Sequence, residues 1–595
     1  MVHNQNLSPM FLSIKRDQAD IFRHYNVKNH GPKCDYKINY ESVLKKTKVA
    51  FLKNSRSLSP KNDFFQTNNK YQYQILENQE KEKPVNESLN YENQNVNDIN
   101  DKQEKMILDT KNNRFYTTDY RVHNIWFKYN KYQTNTNSYK NDQQDQNSSL
   151  NSTISNIREK IDNQAKKVQK IAYKKIYLKL KMESVISPQQ SKQIIDLYQS
   201  PCFVYNENII HQRCKQLLDG LKQFPTKTKA IYACKANTNP FIMKALLEAG
   251  IQGIDTVSVG ECMIAQKVGF NNNDILYTEN YISNEELKYA IDNKIMLNVG
   301  ELSTLEKIGK TYPGTEVSVR LNPDIGSGEC SHVITGGSES KFGIYYTQID
   351  ELKQIINKYD IKVVGIHQHI GSNLNQKDIT NYVNSTKCIF ETALKLTDNL
   401  RFINIGGGIG VPYKQGDEPL NLVEAFKQVS DLYTQIFQKQ AKKDVEIWVE
   451  PGRFLVAESG TLLCTATSVK TNPFYTFIGT DTGMNHLIRP AFYGSYHHIY
   501  NATNQNQDSQ KANVTICGNI CESSDIFAKD REINKTEEGD ILAIQNAGAY
   551  CFSMANNYNS RLKPPEIMIT KDLQQFKVIR SRETYEQILA SVPSF

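Results

Sequence analysis

The sequence predicts an α/β fold class: a (β/α)8 TIM barrel followed by an antiparallel β domain and preceded by a long polar extension. Three observations predict it. Eight short β-branched runs recur between residues 229 and 451, separated by amphipathic segments of helix length. Beyond residue 455 the rhythm changes to short β-like runs without long helices. The first 150 residues, by contrast, are about one quarter Asn and Gln.

The extension comes first. The 595-residue chain has 72 Lys and Arg against 64 Asp and Glu, a formal net charge of +8. That charge is uneven, at +13 over residues 1–181 and −5 over residues 182–595. Stretches such as NQNVNDINDKQEK bury too little apolar surface to offset their ordering entropy, so disorder is expected for residues 1–181. An aromatic and basic cluster at 114–132 could stack on single-stranded nucleic acid, but no nucleic-acid-binding motif accompanies it. The lysine-rich run at 166–181 reads as a solvated linker or a short basic helix. Met182 then opens what reads as the natural start of a folded domain and a possible translation start.

No apolar run is long enough to span a bilayer, and no secretory signal is recognisable at the N-terminus. Eleven cysteines at irregular spacing, with no CxxC pair, argue against a disulfide framework and a four-cysteine zinc site. The expectation is a protein of the reducing cytoplasm that needs no membrane, no metal and, for its body, no nucleic acid. The basic front end leaves organelle targeting open.

The barrel is assigned to residues 195–454. Its strands are read from KAIYACKAN, GIDTVS, DILYT, IMLNVG, EVSVRLN, KVVGIHQHIG, RFINIGGG and VEIWVEP. Their continuous apolar character fits a parallel sheet covered on both faces. Helical patterns intervene at 240–250, 284–293, 347–359 and 422–440. The β domain is assigned to residues 455–595, from runs including TLLCTATSVKT, ANVTICGNI and GDILAIQNAGAY. The strand CFVYN at 202–206 precedes the barrel and is expected to join that domain.

The chemistry-bearing residues fall at strand ends. Lys235 closes the first barrel run, His369 the sixth, Gly406, Gly407 and Gly408 the seventh, and Glu450 the eighth. Active sites of such barrels form at the carboxyl ends of the strands, with phosphate held by the last loops. Singly these signals are weak: His367 and His369 could be a metal pair or merely packed. Together, a lysine, an imidazole, a glycine nest and a carboxylate followed by Pro-Gly-Arg are the parts of a pyridoxal phosphate site. Lys235 would attack the cofactor aldehyde as a free amine, which a partly desolvated, cation-adjacent site encourages. Glycine amides can approach a phosphate closely, and Glu450 would keep the pyridine nitrogen protonated.

The ordered set YACKAN, GIDTVSVGE, ITGGSESKFGI, GIHQHIGS, INIGGGIGVPY, VEPGRFLV, RPAFYGSYHHI, CESSD and NAGAY resembles the fold-type III pyridoxal phosphate decarboxylases, over nearly all of residues 195–590. Within them it is most similar to the diaminopimelate decarboxylases. The resemblance implies the barrel and β domain shared with alanine racemase-like proteins. It also implies that Lys235 binds the cofactor and His369 stacks on its ring. Ser372, Gly407, Gly408, Glu450, Pro451, Gly452, Arg453 and Tyr550 would complete the cofactor contacts. Arg453, Arg489, Tyr493, Glu522 and Tyr550 match substrate-binding positions, and Cys521 matches the acid that returns a proton to the α-carbon. It further implies a homodimer in which Cys521 and Glu522 of one subunit serve Lys235 of the other.

The combination of CES with RPAFY favours a substrate with an amino acid head at its far end: Arg489 can grip the distal carboxylate and Glu522 the distal ammonium. Ornithine, arginine and carboxynorspermidine remain as same-family alternatives. A non-catalytic binding paralogue and a racemase-like reaction are further ones. Four residues depart from the usual pattern, namely Glu329, Cys330, Asn519 and Cys551.

Overall fold

The computed structural model describes residues 106–109, 114–117 and 186–595, apart from positions 415, 507, 573, 574, 594 and 595. The chain divides into two compact units, residues 1–145 and 146–595. In the first, strands β1 (Met106–Asp109) and β2 (Arg114–Thr117) pair antiparallel, with Met106 opposite Thr117. The remaining expectations for the extension, including the basic run at 166–181 and the start at Met182, lie outside the described residues.

The first described element of the second unit is a helix, Pro188–Tyr198, whose cap is written in the sequence. Ser187 and Gln190 form a reciprocal capping box, and Pro188 occupies the first turn, where its missing N–H costs nothing. Next come β3 (Cys202–Asn206) and the barrel strands β4 (Thr228–Ala233), β5 (Gly253–Thr256), β6 (Ile275–Thr278), β7 (Met296–Val299) and β8 (Glu316–Asn322). A two-residue rim strand, β9 (Ile344–Tyr345), precedes β10 (Lys362–His367), β11 (Phe402–Gly407) and β12 (Glu446–Glu450). All the barrel pairings are parallel. β12 returns to β4, and β10 pairs with both β8 and β11, so the eight-stranded sheet closes. Closure removes both sheet edges, which suits strands that are apolar throughout.

The intervening helices start on side-chain caps. Asn239, Ser258, Ser283 and Asn421 each accept a backbone N–H of the first turn, and Gly269 ends one helix in the left-handed conformation. The helix beginning at Leu422 passes at Tyr433 into a π-helical stretch, Thr434–Ala441. Tyr433, Phe437 and Phe390 pack edge-on and stacked beneath it in the core.

The β domain comprises β3 with β13 (Gly460–Thr471), β14 (Thr476–Thr480), β15 (Ile499–Asn501), β16 (Lys511–Cys517), β17 (Ile526–Asn534), β18 (Ile541–Ile544), β19 (Glu566–Ile569) and β20 (Phe576–Arg580). Two of its pairings, β14 with β16 and β3 with β19, are parallel, so the domain is mixed rather than wholly antiparallel. β3 lies between β13 and β19, which places the segment before the barrel at the centre of the sheet after it.

Glu566, fully buried, ties the two parts together. It accepts hydrogen bonds from Tyr205 Oη at 2.7 Å and from Asn239 Nδ2, beyond β4, at 2.8 Å, and it pairs with Arg580.

The barrel mouth stores a cost in the form of buried carboxyl groups. Glu279, just past β6, is 3% exposed and accepts the Gly300 N–H at 2.8 Å. Burial pushes its carboxyl up to about 7. The folded state therefore holds this proton across a window in which the unfolded chain has released it, and stability falls as pH rises from about 4.5 to about 7. Glu279→Gln should raise the melting temperature at pH 8, by an amount equivalent to at most about 3 kcal/mol. The gain should vanish near pH 4.5 in a thermal-unfolding series.

Candidate functional site

Lys235 does not end a strand. It sits in a 3-10 turn, Cys234–Ala236, directly after β4, and is partly open to the barrel mouth. The turn is held from two sides. Ala233 N–H donates to the Pro451 carbonyl at 3.3 Å, and the Ala236 carbonyl accepts from Tyr550 N–H at 2.8 Å and Ser553 Oγ at 3.1 Å. Tyr550 has φ 58°, a left-handed backbone that a tyrosine adopts only under constraint, as is common where a side chain is held for function.

Around Lys235 the barrel interior is charged. Asp255 on β5, Arg320 on β8, His367 on β10 and Glu450 on β12 are all buried. Burial is the largest influence on the Lys235 amine and lowers its affinity for a proton. Asp255, Tyr550 and Glu450 act the other way, and the net direction for the amine is upward. Of the cations expected beside the amine, Arg320 is present and favours its neutral form, while Glu450 opposes it.

Those carboxylates differ. For Glu450 burial opposes the charge, yet a 2.7 Å hydrogen bond with His367 Nε2, together with Lys235 and Arg320, holds its carboxyl below the usual range. Burial and the Glu450 charge push Asp255 well above it. Glu450 is accordingly the ionised member. Burial lowers His367 despite that partner, so a neutral imidazole donates Nε2–H to the carboxylate. Glu450 Oε1 and His367 Nδ1 are buried without a hydrogen-bond partner.

His369 lies two residues beyond β10, so the two histidines share neither a strand face nor a ligand set. His369 Nδ1 accepts the Gly407 N–H at 3.2 Å, which leaves the proton on Nε2, and burial with Lys235 nearby keeps the ring neutral. The glycine run packs backbone against backbone. A Cβ on Gly407 would collide with the Glu450 carbonyl oxygen, and one on Gly408, at φ +85°, with the Gly371 carbonyl. Ser372 follows directly, and its Oγ accepts from Arg453 Nη2 at 3.1 Å. Arg453 Nη1 donates to Tyr413 Oη at 2.6 Å, Arg453 Nε is buried without a partner, and the guanidinium lies 5.0 Å from the Tyr550 ring centre. Pro451 and Gly452 are buried between these groups.

The arrangement fits pyridoxal phosphate. Gly407, Gly408, Ser372 and Arg453 would form an anion cradle, and the glycine run that lines it has no room for a Cβ against the neighbouring carbonyls. Glu450 Oε1 is an acceptor without a donor, as a pyridinium N–H requires. His369 is a neutral ring suited to stacking, and Lys235 is an amine that could meet the aldehyde.

At the β-domain side, the short helix Arg489–Tyr493 carries Arg489, which is 1% exposed. Its Nη1 donates to His497 Nε2 at 2.9 Å, and its Nη2 to Ser495 Oγ at 3.1 Å and Glu329 Oε2 at 3.4 Å. Tyr493 stacks edge-on with Phe492 and lies near His332. Cys521 and Glu522 stand elsewhere, exposed on a turn of the β domain where Cys521 N–H donates to Asn559 Oδ1 at 2.9 Å. Asp525 pins that turn by accepting from Ile520 N–H at 2.7 Å and Met484 N–H at 2.6 Å. One chain therefore gathers Lys235, His369, Ser372, the glycines, Glu450 to Arg453 and Tyr550 at the barrel mouth. It does not bring Cys521 and Glu522 to them.

Asp255, Arg320, His497, Tyr413 and the pairing role of His367 were missed by sequence reasoning. For Asp255 and Arg320 the signal was present, a charge inside an otherwise apolar strand run.

A model of the pyridoxal-dependent decarboxylase pyridoxal-binding domain matches residues 208–457. The diaminopimelate decarboxylase of Methanothermobacter thermautotrophicus is 36% identical over 410 residues, covering 68% of this chain and 94% of that protein. The chain belongs to the diaminopimelate decarboxylase family of pyridoxal-dependent decarboxylases. Two crystal structures extend the likeness. The M. jannaschii diaminopimelate decarboxylase in complex with L-lysine has a TM-score of 0.62 at 31% identity, covering 68% of this chain and 95% of that one. The Helicobacter pylori enzyme with L-lysine has 0.60 at 31%, covering 67% and 98%.

The family cofactor supplies a test of the Glu450–His367 pair. His367→Ala leaves a buried carboxylate uncompensated, which costs roughly 3 kcal/mol. Pyridoxal phosphate should bind about tenfold more weakly to this variant in a fluorescence titration, with the melting temperature lowered in parallel.

Proposed function

We propose that this chain decarboxylates meso-2,6-diaminopimelate to L-lysine and carbon dioxide, the last step of lysine biosynthesis. The observation that carries the reading is Arg489, a fully buried guanidinium whose closest fixed partners, His497 and Ser495, are uncharged. Such a group is a receptor for a substrate carboxylate. Ornithine offers none at its distal end, whereas diaminopimelate offers a complete amino acid head.

When bound, pyridoxal phosphate would supply a pyridinium ring able to take up the electron pair left on the α-carbon as carbon dioxide departs. Glu450, held ionised by His367, keeps a proton at the pyridine nitrogen position. Lys235 anchors the aldehyde end, and Arg453 with Ser372 and the glycine amides holds the phosphate. Arg489 and Tyr493 hold the distal carboxylate. Cys521 of the partner subunit donates its Sγ proton to the α-carbon, and Glu522 of the partner subunit takes the distal ammonium. The exposure of Cys521 and Glu522 in one chain supports a homodimer with shared sites.

Among the described residues ten cysteines are free, six of them buried, which supports a reducing, cytoplasmic setting.

The full chain loaded with pyridoxal phosphate should release carbon dioxide from diaminopimelate and leave ornithine essentially untouched. Lys235→Ala should lower turnover by at least a thousandfold; full activity in that variant defeats the reading. Mixing Lys235→Ala with Cys521→Ala, each inactive alone, should restore up to about a quarter of wild-type activity, because a mixed dimer carries one intact site. No recovery on mixing counts against shared sites.

A further inference from the structure

Glu329 lies on the loop that follows β8 and bridges the two halves of the pocket. Its backbone N–H donates to the Ser372 carbonyl at 3.1 Å, beside the anion cradle, while its side chain reaches Arg489 in the β domain. The loop backbone is tied down on both sides. Asn322 Oδ1 accepts from Asp324 N–H and from Gly337 N–H, each at 3.0 Å, and Ser327 Oγ donates to Asp378. Only side-chain rotation is therefore needed to move the Glu329 carboxylate.

The contact itself is loose. At 3.4 Å it is longer than the 2.7–2.9 Å of a well-made guanidinium–carboxylate hydrogen bond, and the Glu329 side chain is 25% exposed against 1% for Arg489. The remaining partners of Arg489 are neutral. His497 Nδ1 donates to the Gln545 carbonyl at 2.8 Å, so His497 Nε2 carries a lone pair and accepts from Nη1. Arg489 Nε is buried with no partner. The Nε–Nη2 edge is a fork that a carboxylate can grip with both oxygens, and here it is touched on one prong only.

We propose that Glu329 is a placeholder for the distal carboxylate. It neutralises Arg489 in the free enzyme, yields the fork to an incoming amino acid head, and returns as that head leaves. The proposal rests on the diaminopimelate reading and adds to it a specificity-determining residue. L-Lysine retains the distal head after decarboxylation, so the placeholder competes with substrate and product alike and speeds release. A diamine without that head does not meet this competition. By the arithmetic of population shift, removing the competitor tightens every ligand that carries the distal carboxylate.

The test uses the pyridoxal phosphate-loaded full chain, with Glu329→Gln and Glu329→Ala as variants. L-Lysine and cadaverine, which differ by one carboxylate, are titrated against the cofactor absorbance band, and diaminopimelate turnover is measured alongside. Both variants should bind L-lysine about three- to tenfold more tightly and show a diaminopimelate KM lowered by a similar factor. Cadaverine should bind no more tightly than to wild type. Unchanged or weaker lysine binding in both variants overturns the placeholder; weaker binding would assign Glu329 to the ammonium instead. A wild-type enzyme that turns over no diaminopimelate overturns the parent reading, and the placeholder with it, so the two failures are told apart.

Discussion

A single hydrogen bond of 2.7 Å between Glu450 and His367 organises the catalytic face. Both residues are buried at strand ends where water cannot screen them, so the carboxylate survives as a charge only through the partners arranged around it. Its backbone is as constrained as its side chain. The Glu450 carbonyl lies where a Cβ on Gly407 would be, and the next carbonyl, that of Pro451, accepts from Ala233 just before the Lys235 turn. One short segment at the end of β12 thus fixes β10 through an imidazole, β11 through a glycine and β4 through a backbone bond. Lys235, the Gly407–Gly408 run and Glu450 share one frame for this reason.

That frame sorts its charges by environment. Asp255 and Glu450 are both carboxylic acids inside the same barrel, but Glu450 has His367, Lys235 and Arg320 to stabilise its anion, while Asp255 is pushed toward its neutral form by burial and by Glu450 itself. Two like charges in a low-dielectric space do not both ionise freely, and the group with the better partners keeps its charge. Neutral His367 and His369 follow from the same crowding. In each, one ring nitrogen is committed to a defined partner, Glu450 for one and the Gly407 N–H for the other.

Much of this was legible in the sequence because it depends on local pattern. Eight β-branched runs, the Asn and Ser caps between them, GGG at a strand end and Lys235 after YAC are features that period and turn chemistry report. What escaped is what only three-dimensional neighbours decide. Asp255 and Arg320 were single charges inside apolar runs, and their meaning depends on each being opposite the other groups across a closed barrel. The acidic groups on two other strands that face Lys235 are likewise invisible to a linear reading. Glu329 stood out only as a departure from a pattern; its partner Arg489 is 160 residues away. The mixed character of the β domain escaped because the parallel pairing of β3 with β19 joins segments more than 350 residues apart.

The long-range pairing of β3 also explains how the β domain is held against the barrel rather than hung from it as an appendage. A barrel with a domain hung from one linker could rock, and a site divided between them would lose its geometry. Here the chain enters through the β sheet at β3, runs round the barrel and returns to pair on both sides of the strand it left, so two covalent crossings join the parts. Glu566 adds a buried polar link from β19 to Tyr205 and Asn239, and Asn239 caps the helix that follows the Lys235 turn. Buried hydrogen-bonded groups of this kind are costly to break and poor at slipping. Tyr550 and Arg489, both from the β domain, can therefore be held within ångströms of barrel residues. In Arg489 that rigidity stops at a guanidinium whose one carboxylate partner, Glu329, lies on a partly exposed side chain able to move, so the Glu450 frame is stiff and the Arg489 end adaptable.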